Sequence, residues 1–133
     1  MQSEKFTPKN IRTPIDSYEE STWIANGKPA WENDRYAVWH DKFPVTSGHT
    51  LWIPKINAVG HIRETYGDAF KYGQDKVDRG EWDGFNIGQN IGIAAGQTIL
   101  WPHIHLIPRI NGDSKELGGI RRAIPDGKHW TAY

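Results

Sequence analysis

The chain contains no cysteine, which removes several chemistries at once. There is no disulfide framework, no thiolate nucleophile and no cysteine-bearing zinc centre to seek. Long apolar runs are also missing. No stretch approaches the roughly 18 apolar residues of a membrane span, and the opening MQSEKFTPKNIRTPIDSYEE lacks the apolar core of a signal peptide. Net charge is zero, with sixteen Lys and Arg against sixteen Asp and Glu. General nucleic-acid binding needs a concentrated positive surface and is not expected. A small phosphate pocket remains compatible with this balance. No internal repeat, Walker-type loop or dinucleotide fingerprint occurs. These absences together lead to the expectation of a soluble, cytoplasmic protein with no membrane partner.

What is present fits one domain, since 133 residues are enough for one sizeable core but not for two. Residues 1–29 are polar, interrupted by Pro8 and Pro14, and read as an extension or covering segment before a domain at 30–133. Within it, Trp23-Ile24-Ala25 reads as a brief strand ending at the Asn26-Gly27 turn. Seven tryptophans are many for this length. Large rings can fill cores, join subunits or stack on a base, and composition does not separate these uses.

Alternation organises the middle of the chain. Tyr36, Val38 and His40 share one face of an extended segment, and Ala37, Trp39 and Asp41 share the other. A polar loop at 42–48 leads to a second such segment, with His49, Leu51 and Ile53 on one face and Pro54 limiting its pairing. A helix is expected from about Asn57, because Val59, Ile62, Tyr66, Ala69, Phe70 and Val77 approximate a 3.6-residue stripe. Gly60, Gly67 and Gly73 weaken its propensity, so packing on a sheet must supply the rest, and Gly73 is a point where the helix could break. His61 in that helix reads as a surface or packing residue. A strand over 85–89, a glycine-containing loop over 91–96 and a short strand over 120–124 complete the pattern. The aromatic tail, 128–133, could cover a pocket or contact a second subunit, and His129 within it reads as incidental. The sum is an α+β domain, an antiparallel sheet of about five strands with one main helix.

The most informative stretch is 97–109, QTILWPHIHLIPR. In an extended chain Trp101, His103 and His105 point to one face, while Pro102, Ile104 and Leu106 point to the other. Pro102 has no N–H for a ladder and belongs at the strand's start or at a bulge. An imidazole titrates near neutrality, so it can act as nucleophile, base or acid. Spacing alone leaves three readings open: a structural hydrogen-bonding pair, a catalytic pair, or a zinc pair.

This stretch resembles the signature of the histidine triad family of nucleotide hydrolases and transferases, in which three histidines alternate with apolar residues. Here it reads Trp101-Pro102-His103-Ile104-His105-Leu106-Ile107, so Trp101 stands where the family has its first histidine. The stretch from Ser47 to Lys55, SGHTLWIPK, resembles the family's Pro-Gly-His strand. Phe85-Asn86-Ile87-Gly88 and Gly118-Gly119-Ile120-Arg121 resemble segments of bacterial members, and the likeness covers about 31–125.

The resemblance implies the roles. His103 would be the nucleophile toward the α-phosphorus of a nucleotide, with a carbonyl near Trp101 taking its other ring N–H. His105 would hydrogen-bond a phosphate or bridging oxygen, and His49 would lie close to the α-phosphate. Gln97, Thr98 and Asn90 would hold phosphate oxygens, Asp41 the ribose hydroxyls, and Trp39 the base, with Trp101 walling the pocket. The implied activity is hydrolysis of a dinucleoside polyphosphate or related nucleotide through a nucleotidyl-histidine, releasing a monophosphate. Nucleotidyl transfer is the alternative within that class, and nucleotide binding with little catalysis is the alternative outside it. No protein-bound metal or other cofactor is required, and any Mg²⁺ would arrive with a polyphosphate substrate. A homodimer is expected, from the zero net charge, the tryptophans and the habit of similar proteins.

Overall fold

The structure is a computed structural model that describes residues 13–114 and 118–123. The α+β expectation holds. Five strands form one antiparallel sheet in the order β1-β2-β3-β5-β4. They are β1 (Trp31–Glu32), β2 (Tyr36–His40), β3 (Thr50–Pro54), β4 (Gly84–Gly88) and β5 (Ile104–Arg109). Pro54 closes β3 and Pro102 falls just before β5, as a residue without an N–H donor requires.

The period-2 pattern divides the core into two layers. Tyr36, Val38, Trp52, Ile104 and Leu106 pack on the face that carries Ala69 of the main helix. Ala37, Trp39, Leu51, Ile53 and Trp101 pack on the opposite face, together with Tyr18 from the segment before the sheet. That second face is also where the strand histidines point.

Helix α2 runs unbroken over Val59–Asp78, starting from Ala58 rather than Asn57, and Ala58 supplies no side-chain cap. The helix does not break at Gly73, the point where it could have done so. Gly73 is buried, and a Cβ built on it would stand 3.1 Å from the Phe85 ring. Glycine therefore sits there because β4 packs close, and that packing replaces the lost helix propensity.

Two expected strands turn out to be helical turns. Trp23 lies in α1 (Thr22–Asn26), which follows a 3-10 turn at Tyr18–Glu20. Ser21 explains the change: its backbone is extended, and its hydroxyl accepts the Ile24 N–H at 3.5 Å, the geometry of an N-cap. At the other end Gly119–Ala123 is a 3-10 turn, not a strand. Residue 124 of that expected strand and the tail at 128–133, with His129, lie outside the described residues.

Ala69 is fully buried where α2 meets the sheet. Ala69→Leu should overpack this layer and lower stability by about 1–3 kcal/mol, read as an earlier urea midpoint with an unchanged slope.

Candidate active site

The register of β3 against β5 brings the histidines together. Leu51 lies opposite His105 and Trp52 opposite Ile104. His49, two residues before Leu51, therefore projects from the same face as His105, as alternation requires. The loop between β2 and β3 is tied down on both sides. Asp41 N–H donates to His49 O at 3.0 Å, and Thr46 Oγ1 donates to Pro108 O at 2.7 Å. Gly48 turns the loop with φ +89° and lies against the Pro108 ring. That conformation suits glycine and penalises a side chain.

A chain of hydrogen bonds fixes where the protons are. Val45 N–H donates to His49 Nδ1 at 3.0 Å, so the proton of a neutral His49 ring sits on Nε2. His49 Nε2 is 3.0 Å from His105 Nδ1 and 3.3 Å from Asp41 Oδ2. Its single N–H donates into that pair, which makes His105 Nδ1 an acceptor and puts the His105 proton on Nε2. Independently, His103 Nδ1 lies 2.7 Å from Trp101 O. A carbonyl only accepts, so His103 donates from Nδ1 and keeps a lone pair on Nε2. The neighbouring rings, 5.4 Å apart at their centroids, thus differ in kind. His103 Nε2 is a base or nucleophile, and His105 Nε2–H is a donor.

Burial keeps the rings neutral enough for this assignment. Desolvation lowers the His103 pKa, with the hydrogen bond to Trp101 O acting upward and His105 downward. His105 is lowered by desolvation and then by His49, against Asp41. His49 is lowered by desolvation, again with Asp41 opposing. A neutral ring is what nucleophilic attack needs.

Asp41, His49 and His105 also bring a carboxylate oxygen and two ring nitrogens within 4.8 Å of one another, a spacing that could hold a cation. The donor set does not fit one. A metal-bound histidine normally donates its other N–H, whereas Val45 N–H already donates to His49 Nδ1. A cation on Nε2 would need this ring to lose its last proton or to give up the Val45 contact.

The open space lies on the Asp41 side. A cavity of about 520 Å³ is lined by Asp41, His49, His105, Asn86 and Asn90, among others. It shares Asn86, Asn90 and Ile107 with a second cavity of about 770 Å³ that reaches Arg109, Ser114 and Arg122. Together they form one open trough in which Asp41, Asn86, Asn90 and Arg109 stand among apolar side chains such as Val45, Ile107 and Ile120. Of the residues singled out in the sequence, Asp41, His49, His105 and Asn90 line it, while His103, Gln97, Thr98, Trp39 and Trp101 do not.

The placement of that second group differs from expectation for local reasons. Gln97 braces its own loop, accepting Gly92 N–H at 2.8 Å and donating to Ile99 O at 3.0 Å. Thr98 is exposed. Trp39, expected as a stacking surface, is 6% exposed and donates its indole N–H to Tyr18 Oη at 2.9 Å. Trp101, expected to wall the pocket, is 4% exposed with its indole N–H on Pro54 O at 2.8 Å. Its carbonyl, not its ring, serves the site. Three participants were not legible in the sequence. Val45 acts through its main chain and leaves no side-chain signature, Tyr18 lies in a segment that read as polar, and Trp23 read only as part of a brief strand.

Fold and site together define an antiparallel α+β protein that presents a bare histidine nitrogen beside a histidine N–H donor. The HIT domain pattern matches residues 27–112, and the chain belongs to the HIT family, whose members bind and hydrolyse nucleotides. A HIT-like protein of Saccharolobus solfataricus is 32% identical over 66% of this chain and 68% of its own length. An adenylylsulfatase of Arabidopsis thaliana is 35% identical over 62% of this chain and 46% of that protein. Among solved structures, a Zn-bound histidine triad family protein from Mycobacterium smegmatis aligns with TM-score 0.61 and 25% identity, over 82% of this chain and 86% of that one.

The depressed histidines make stability pH-dependent. Below the ordinary value of 6.5 the unfolded rings take up protons that the folded rings resist. The unfolded state then binds more protons, so stability falls as pH falls. Urea midpoints should decline steadily from about pH 7 to about pH 5. His103→Gln, which removes one such ring, should flatten that decline.

Proposed function

We propose that this protein is a nucleotide hydrolase that works through a nucleotidyl-histidine on His103. The observation that carries the reading is the hydrogen-bond pattern, which assigns a lone pair to His103 Nε2 and an N–H to His105 Nε2 on neighbouring rings. His103 Nε2 attacks the α-phosphorus, the bond from phosphorus to the leaving oxygen breaks, and a phosphorus–nitrogen bond forms. The His103 ring becomes cationic, and Trp101 O, already accepting its Nδ1–H, stabilises that charge. His105 Nε2–H donates to the bridging oxygen as it gathers charge. Water then attacks phosphorus, the phosphorus–nitrogen bond breaks, and a nucleoside monophosphate leaves.

The remaining roles follow the surroundings. His49 positions His105 and is itself positioned by Val45. Asp41 faces the ribose hydroxyls from the end of β2, and Asn90 meets phosphate from the trough wall. The leaving half of a dinucleoside polyphosphate, with any Mg²⁺ it brings, lies along the trough toward Arg109 and Arg122. Gln97 supports the preceding loop, whose N–H groups approach the phosphate together with Thr98. The adenylylsulfatase relative supports the same first step on an adenylyl group with a different leaving group.

The active species we infer is a homodimer. Strand β4 is an outer edge of the sheet, and an uncovered edge strand is a template for pairing. Beside it, Phe70 on α2 meets Phe85 on β4 at 5.9 Å, and Val59, Tyr66 and Phe70 remain exposed. A second copy placed there covers both features and should bury at least ~1,000 Å². Light scattering at tens of micromolar should give twice the chain mass, and a fully active monomer would overturn the dimer.

Single-turnover experiments with labelled nucleotide test the chemistry. His103→Ala should still fold and bind nucleotide, trap no label and lose at least ~10³-fold in turnover. Trp101→His, which keeps the carbonyl, should change the rate of label trapping by less than ~10-fold. A gain above ~100-fold, about 2.7 kcal/mol of barrier, would show that the missing imidazole matters chemically.

A further inference from the structure

His103 is 5% exposed, and its Nε2 has no hydrogen-bond partner among the described residues. A buried nitrogen with an unused lone pair is rare and calls for an explanation. The ring packed against this imidazole is Trp23, whose indole meets it edge-on with centroids 5.1 Å apart. The tryptophans of this layer are not held alike. Trp39 and Trp101 are buried and pinned through their indole N–H groups to Tyr18 Oη and Pro54 O. Trp23 is only half-buried, and its indole N–H has no hydrogen-bond partner among the described residues. The other residues of α1, Thr22, Ile24, Ala25 and Asn26, are exposed. A five-residue helix moored by one indole is an element that opens at low cost.

We propose that Trp23 is the gating residue of this site: its indole occupies the place that a nucleotide's base takes, and its departure uncovers His103 Nε2. The identity of the occupant rests on the nucleotide reading above, while the gate itself does not. The indole is a fused bicycle of purine dimensions. It packs against the apolar layer that holds Trp39, Leu51 and Ile99. Asp41 follows the last residue of β2, two positions beyond Trp39 and about 7 Å further along if the extended direction continues, which is a sugar's distance from a base.

Diethylpyrocarbonate tests the gate without requiring turnover. It acylates a neutral imidazole nitrogen, with the attacking ring gaining an ethoxycarbonyl group and ethanol and carbon dioxide leaving. Wild type, Trp23→Ala and Trp23→Phe are treated as full chains, and each histidine is followed by peptide mapping. If the gate opens, His103 should react at least ~10-fold faster in Trp23→Ala, a tenfold larger open population, while the part-exposed His105 changes little. His49, 3% exposed, reports the fold and should stay protected. If it does not in Trp23→Ala, Trp23→Phe decides, with a smaller ring and the same selective gain at His103. Equal His103 rates in wild type and folded variants would overturn the gate. AMP should quench or shift wild-type tryptophan fluorescence, with that change lost in Trp23→Ala. A gate that opens in the acylation test with no response to AMP would overturn the base as occupant and leave the gate standing.

Discussion

The pairing of β3 with β5 in a single register is the constraint on which the site depends. Leu51 opposite His105 places His49 diagonally across from His105 on the face away from α2. A slip of one residue would turn His49 and His105 to opposite faces and exchange core residues for site residues along a whole strand. The register is specified because both faces are buried. Trp52, Ile104 and Leu106 are committed to the α2 layer, and Leu51 and Ile53 to the other. The site geometry is thus a by-product of packing on its reverse side, so the histidines need contribute little to holding the strands in place.

Within that frame, two main-chain groups set the chemistry of three side chains. Val45 N–H selects the tautomer of His49, and through it that of His105. Trp101 O selects the tautomer of His103. Neither group can titrate, and both are fixed by elements that are rigid for other reasons. The loop carrying Val45 is pinned by Thr46 to Pro108 and turned by Gly48. Trp101 is locked into the core by its own indole N–H. Side chains whose protonation is set this way are preorganised, and preorganisation is where electrostatic catalysis gains most. The group that Trp101 contributes here is its main-chain carbonyl, which a residue of any type carries.

The fold was largely readable because both of its periods are written in the sequence. Alternation over 36–41, 49–54 and 103–107 gave the strands and their faces, and the 3.6-residue stripe gave α2. The failures are of two physical kinds. Trp23-Ile24-Ala25 is too short to display a period, so the Ser21 cap decided its conformation where β-propensity suggested a strand. Gly73 looked like a helix breaker because the Phe85 ring that requires a glycine there lies on β4, distant in sequence. The site was readable to a similar extent. His49, His103, His105 and Asp41 converge on one face of the sheet. Trp39 could not be separated from a stacking surface while its partner, Tyr18, lay 21 residues away in a segment that read as polar. Gln97 satisfies its amide on Gly92 and Ile99, a local use that spacing cannot distinguish from phosphate binding.

The molecule then has a site with two unlike sides. Toward Asn86, Asn90 and Arg109 it is open, with polar side chains set among apolar ones, a place where charged groups can keep part of their hydration. Toward Tyr18, Trp23, Trp39 and Trp101 it is apolar and closed, and His103 lies at the boundary. Burial depresses the His103 pKa and so favours the neutral ring, whose lone pair then lies on Nε2 because Nδ1–H is given to Trp101 O. The same burial would be self-defeating if the cover were as firmly fixed as the indoles of Trp39 and Trp101. Of the three indoles on this side, the one against His103 is the one whose N–H has no partner among the described residues. The layer is therefore most firmly tied where it supports the sheet and least tied beside His103, a division of stability expected of a binding surface.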